Sequence, residues 1–248
     1  MNFSQTLRVS VAAASFAALT GTAIAQDEAE GWTGEGSFSA GVTTGNTETT
    51  DLGLGVKANN DIGVWAFGFE AAADYGDSDG VETKNRIFLG TNADRQINDK
   101  LFGFGQLSYE KDEFSGFESR TFVGGGLGYD IYSTDALSWT VRGGPGLKID
   151  EVLDPVTGET ETEDSLGAIA ESNFAYQFND NVGFSNDTSI LYAETSTQIG
   201  NTAALTASLT NALSARVSLE VRHDTDPVVG FEDTDTISRV SLVYGFGG

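Results

Sequence analysis

From residue 32 to residue 246 the chain repeats one motif: an apolar residue, then a polar one, then an apolar one. Alternation with period two is the signature of strands with one greasy face and one polar face. Strand one, about 32–43, puts Trp32, Phe38, Ala40 and Val42 on one side, and Thr33, Glu35, Ser37 and Ser39 on the other. The pattern predicts eleven more strands, near 50–58, 63–75, 83–93, 101–110, 119–131, 137–150, 165–178, 182–193, 201–210, 215–224 and 236–246. Two of them break the rule locally. Phe102 and Phe104 fall on the polar side of strand five, and Leu191 falls on the polar side of strand nine.

The connections alternate as well. Tight polar turns sit at 59–63, 98–100, 133–136, 178–181 and 211–215. Between them come mostly longer, acidic loops at 76–82, 111–119, 151–164 and 224–235, with shorter ones at 44–48 and 193–198. A soluble sandwich alternates along each strand but has no reason to make every second loop long and acidic. A transmembrane barrel does, with short periplasmic turns and long outer loops. The even strand number fits, and about 10 residues is enough for a tilted strand to cross a bilayer. Trp32, Trp65, Tyr75, Tyr109, Tyr129, Tyr176, Tyr192 and Tyr244 lie near strand ends, as interfacial girdles require. The expected fold is therefore all-β: a 12-stranded antiparallel transmembrane barrel, with its apolar face to lipid and its charged face to the lumen.

Residues 1–25 stand apart. Arg8, an apolar run from about Val9 to Leu19 and the small Ala23-Ile24-Ala25 read as a signal peptide, leaving 26–248 as the barrel. That apolar run is too short to span a bilayer as a helix. The chain has no Cys and one His, which excludes disulfides, thiolate chemistry and Cys/His zinc sites. No cofactor is indicated. The formal charge of −24 argues against nucleic acid as a partner.

Pro145, inside "RGGPG" at 142–146, interrupts strand seven. A proline inside a strand predicts a bulge or bend, with the neighbouring glycines allowing close approach.

The strand and Gly-Asn-Thr turn in "WTGEGSFSAGVTTGNTETTDL" (32–52), the stretch "FGFGQLSYEKDEFSGFESRTFVGGGLGYDIY" (102–132) and "GGPGLK" (143–148) resemble the family of salt-induced outer membrane proteins, built on a domain of unknown function. The resemblance spans essentially the whole mature chain. It implies an outer membrane barrel of a Gram-negative-type bacterium, with lipid and lipopolysaccharide around it and the outer membrane assembly machinery as a partner. It implies no activity. The final strand departs slightly from the usual outer membrane ending, because two glycines follow Phe246.

The candidate chemistry lies in the lumen. Strand parity turns Lys57, Lys84, Arg86, Arg120, Arg142, Lys148, Arg216, Arg222 and Arg239 inward, together with Glu35, Asp51, Glu70, Glu110, Asp130, Asp150, Glu171, Asp187, Glu220 and Asp224. The signs roughly cancel, so pairing is expected. One reading is a self-neutralising network that fills the bore of a barrel with a structural, envelope-adaptive role. The alternative is a narrow passive channel for small anions or polar solutes. Twelve strands lie between the filled small barrels and the open large ones, so size does not decide. A hydrolase is a third reading: His223 is the one candidate base, with Ser238 as its nearest candidate nucleophile. The carboxylate-rich stretches at 74–80 and 230–235 could hold divalent cations, since hard ions prefer oxygen ligands.

Overall fold

In the computed structural model, residues 31–247 are described apart from 45–48, 79–80, 116, 154–159, 195 and 228–230. The signal segment expected at 1–25 lies outside the described residues, as do parts of the outer loops. Twelve strands follow one another: β1 (Thr33–Thr44), β2 (Thr49–Ile62), β3 (Trp65–Ser78), β4 (Val81–Gln96), β5 (Leu101–Asp112), β6 (Ser119–Ser133), β7 (Leu137–Leu153), β8 (Thr160–Asn179), β9 (Val182–Ala193), β10 (Thr197–Ser208), β11 (Leu213–Asp224) and β12 (Thr234–Phe246). Each pairs antiparallel with the next, and β12 returns to β1, so the barrel is closed. Closure removes the unpaired edge that hydrocarbon would not tolerate. With strands about 4.8 Å apart and tilted about 40°, the wall has a radius of about 12 Å.

The turns at one end show why the chain reverses there. Asn98 Oδ1 accepts the N–H groups of Lys100 and Leu101, both at 3.0 Å, and Asn179 Oδ1 accepts those of Asn181 and Val182 at 2.9 and 3.1 Å. Thr134 and Thr210 do the same with hydroxyl oxygens for Leu137 and Leu213. Such side chains imitate a backbone turn partner. The β2–β3 turn instead uses Gly63 at φ +62°, a conformation that disfavours a Cβ.

The outward wall is apolar and uncovered. Leu54, Leu127, Val217 and Val240 are each more than half exposed, which a water-soluble protein would not sustain over a whole surface. Aromatics ring this wall. Trp65, Tyr129, Tyr176 and Tyr244 stand toward the short-turn end, and Tyr75, Tyr109 and Tyr192 toward the loop end. Arg95 lies over Trp65 and Lys100 over Tyr129, with the charges reaching past the rings toward the interface.

The residues that broke the alternation are the lumen's apolar core. Phe102, Phe104, Phe122 and Ile169 cluster inside the barrel with Leu191 against them. Glycines of β6 and β7 make room for them. A Cβ on Gly128 would lie 2.1 Å from the Phe102 ring, and one on Gly124 or Gly146 would lie 2.6 or 2.4 Å from Phe122.

Pro145 corrects an expectation. The β7 register against both neighbours is the same before and after it, so no bulge forms there. Around Pro145 the pairing on the β6 side lapses at Gly125 and Gly126, which face Gly144 and Pro145. The missing N–H is thus absorbed by glycine backbones in close approach: a Cβ on Gly126 or Gly144 would come within 2.1 or 2.2 Å of a carbonyl oxygen across the gap. The bulges fall elsewhere, at Gly76/Asp77, Asp130/Tyr132 and Gln177/Asn179. The second lets Tyr132 sit opposite Trp139 and stack on it.

Candidate functional site

Six charged side chains close a ring inside the outer half of the bore. Arg222 bonds Glu220 at 2.5 Å, and Glu220 accepts from Arg239 at 2.7 Å. Arg239 reaches Asp74 at 3.0 Å, and Asp74 takes Arg86 at 3.2 Å. Arg86 pairs with Glu110, and Glu110 meets Arg222 at 3.6 Å, which completes the circuit. Three guanidiniums alternate with three carboxylates, so the ring sums to zero.

The topology explains the reach of this ring. β5 and β11 are six strands apart in a twelve-stranded circle, so Glu110 and Arg222 meet across the bore. β3 and β12 are separated by β1 and β2, which present Ser39 and Gly53 to the lumen at that level. A Cβ on Gly53 would lie 2.8 Å from Asp74 Oδ1, so small residues let Asp74 and Arg239 meet along the wall. An unpaired charge in such a place costs several kcal/mol, which favours strict alternation of sign.

Pairs above and below the ring use most of the other lumen arginines and lysines. Toward the outer mouth, Arg120 makes a two-pronged bond to Asp150 at 2.7 and 3.0 Å, and the almost fully buried Lys148 reaches the same carboxylate at 2.9 Å. Toward the short-turn end, Arg216 grips Glu35 with two bonds at 2.7 and 2.8 Å, and Lys57 pairs with Glu70 at 3.4 Å. Arg142 pairs with Glu171, approaches Asp94 at 3.9 Å and lies over Phe104. Asp130 accepts from Thr140 at 2.7 Å. Asp74 lies within the strand predicted at 63–75, but the sequence groups it with the carboxylate-rich stretch 74–80 and not with the lumen charges. Its parity with Tyr75 on β3 was the available signal.

A cavity of about 990 Å³ runs along this bore. Its walls extend from Glu35 and Lys57, past the ring, to Asp226 and Glu232 at the outer mouth. A second cavity of about 350 Å³ lies below and shares Glu35, Lys57, Asn59 and Arg216 with the first, so the Arg216–Glu35 pair stands between the two.

The other sequence candidates are placed differently. His223 stands opposite Thr234, with Nδ1 and Oγ1 2.9 Å apart, and the Thr234 hydroxyl bonds Asp233. Ser238 is paired with Leu219, four residues further along β12, so the register does not bring it to His223. In the acidic stretches, Asp74 is drawn into the ring. Among the described residues, no group of three or more His, Asp or Glu is arranged to hold a metal ion.

A family model described as a protein of unknown function, DUF481, matches residues 36–246. The chain belongs to that family. It is similar to the uncharacterized protein YdiY of Escherichia coli K12, with 25% identity over 213 residues, 85% of this chain and 82% of that protein. Among solved structures it resembles the NanC porin, with a TM-score of 0.56 and 12% identity over 84% of this chain and 98% of that one. It also resembles the COG4313 outer membrane channel of Pseudomonas putida F1, with a TM-score of 0.54 and 8% identity over 90% of this chain and all of that one. At such identities the likeness is one of fold. This DUF481 protein is an outer membrane β-barrel of porin-like architecture.

Proposed function

We propose that the barrel is a narrow passive channel for small ions and polar solutes, with the six-charge ring as its constriction. The observation that carries this reading is the cavity that continues past the ring from the Glu35 level to the outer mouth. A neutral ring of opposed charges lets a small polar solute exchange hydration for fixed hydrogen-bond partners without a net field against it. Lipopolysaccharide around the barrel, delivery by the assembly machinery and cation binding at the acidic outer loops belong to the same proposal.

A second reading is favoured by the Glu110–Arg222 contact across the bore. In it the ring braces the wall, and the protein serves envelope adaptation, as the salt-induced label of the family it resembles suggests. Recording from planar bilayers with the purified mature protein separates the two. The channel reading expects small, discrete conductance steps. Silent bilayers, with a growth defect at high salt when the protein is deleted, would support the brace.

A further inference from the structure

Hydrogen-bonding side chains are out of place on a wall that faces hydrocarbon, yet β8, β9 and β10 carry a bonded group of them there. β9 turns Phe184, Asn186, Thr188, Ile190 and Tyr192 outward, so Thr188 lies midway between the aromatic residues that mark the two ends of its strand. The pairing confirms the face. Asn186 is opposite Phe174 and Ala203, and Thr188 is opposite Ser172 and Asn201.

The amides of Asn186 and Asn201 bond each other reciprocally at 3.2 Å. Asn201 Nδ2 also donates to Thr188 Oγ1 at 2.8 Å, and Thr188 Oγ1 donates to Asn186 Oδ1 at 3.4 Å. A primary amide offers two donors and two acceptor lone pairs. After these bonds, one N–H of Asn186 and one lone pair of Asn201 Oδ1 have no partner among the described residues. Lipid tails supply none. The outward neighbours mix small residues, Ala168 and Ala170 on β8 and Ala203 and Ala207 on β10, with the larger Phe174, Phe184, Ile190 and Leu205. Small residues beside polar ones allow close approach between membrane surfaces.

Of the two amides, one donor and one acceptor are left, side by side, next to the hydroxyls of Thr188 and of Ser172, which accepts from Trp139 Nε1 at 3.0 Å. Two identical patches related by a twofold axis satisfy both at once, donor to acceptor in each direction, which is the self-complementarity of an isologous contact. We propose that the outer face of β8–β10 is the contact of a homodimer within the outer membrane, in which the Asn186 N–H of each copy bonds Asn201 Oδ1 of the other.

The chain has no cysteine, so a single introduced one reports without interference. Ala203→Cys sits in the patch and leaves its polar groups intact. Ala71→Cys lies on the lipid face of β3, five strands from β10 on the far side of the barrel. Oxidation in native outer membranes is expected to give a covalent dimer with Ala203→Cys and none with Ala71→Cys. Adding Asn186→Leu and Asn201→Leu to the Ala203→Cys protein is expected to lower the dimer yield about tenfold, while heat-modifiable migration on gels shows that the barrel still folds. No dimer at Ala203→Cys, equal dimer at both cysteines, or a yield that ignores the leucines would overturn the proposal. So would cross-linking to a different protein in place of a second copy.

Discussion

Asp74→Asn tests whether ions pass the charge ring. The substitution keeps the side chain's shape and removes one negative charge. Asp74 holds Arg86 at 3.2 Å and Arg239 at 3.0 Å. Each of these arginines keeps another carboxylate, Glu110 and Glu220, so the ring opens into a chain with a net charge of +1. A monovalent ion threading the constriction comes within about 5 Å of the changed site. At that distance and with a water-like dielectric, two unit charges interact by about 0.8 kcal/mol. The sign is opposite for cation and anion, so their ratio moves by about 1.6 kcal/mol, roughly fifteenfold toward anions. Recording at about 0.1 M salt leaves this largely unscreened, because the Debye length is then about 10 Å. Reversal potentials across a salt gradient read the shift directly. Arg222→Gln is expected to move the potential the opposite way. A change below about twofold, with conductance undiminished, would mean that ions do not travel past the ring, and the reasoning would fail.

Two further expectations concern the wall. Gly128→Ala places a methyl against the Phe102 ring and is expected to cost about 1–3 kcal/mol of stability, read by urea unfolding in detergent. Adding Phe102→Leu should restore most of it, and a wild-type midpoint for the single variant would contradict the packing described. Pro145→Ala is expected to change stability by less than about 1 kcal/mol, because the register is continuous across it and the lapse on the β6 side is set by paired glycines. A large loss in the same unfolding assay would show that the ring geometry of proline is required.

The barrel was legible in the sequence because membrane and water impose opposite demands on the two faces of every strand. Period two, twelve times over, with loops alternating in length, leaves few other architectures. The same parity turns Arg86, Arg222 and Arg239 inward. It could not show that Arg222 and Glu110 meet, because partners six strands apart depend on how the cylinder closes and not on either strand's own pattern. Phe102, Phe104 and Leu191 look like errors along their strands and make sense only against Phe122, Gly128 and Ile169 from other strands. Asp74 was hidden by composition, since a strand-end acid that opens a run of acids reads as part of a cation-binding stretch. Pro145 was misread because the accommodation sits in its neighbour, at Gly125 and Gly126.

The account rests on a wet, charged interior and a lipid-facing exterior, and alternating cysteine accessibility measures that most directly. Ser108 and Ser218 share the strand face of Glu110 and Glu220, which point into the bore, while Leu107 and Leu219, next to them in sequence, are on the opposite, exposed face. In reconstituted protein, a membrane-impermeant thiol reagent is expected to label Ser108→Cys and Ser218→Cys and to spare Leu107→Cys and Leu219→Cys. Labelling of the leucine positions in place of the serine positions, or of neither set, would contradict it.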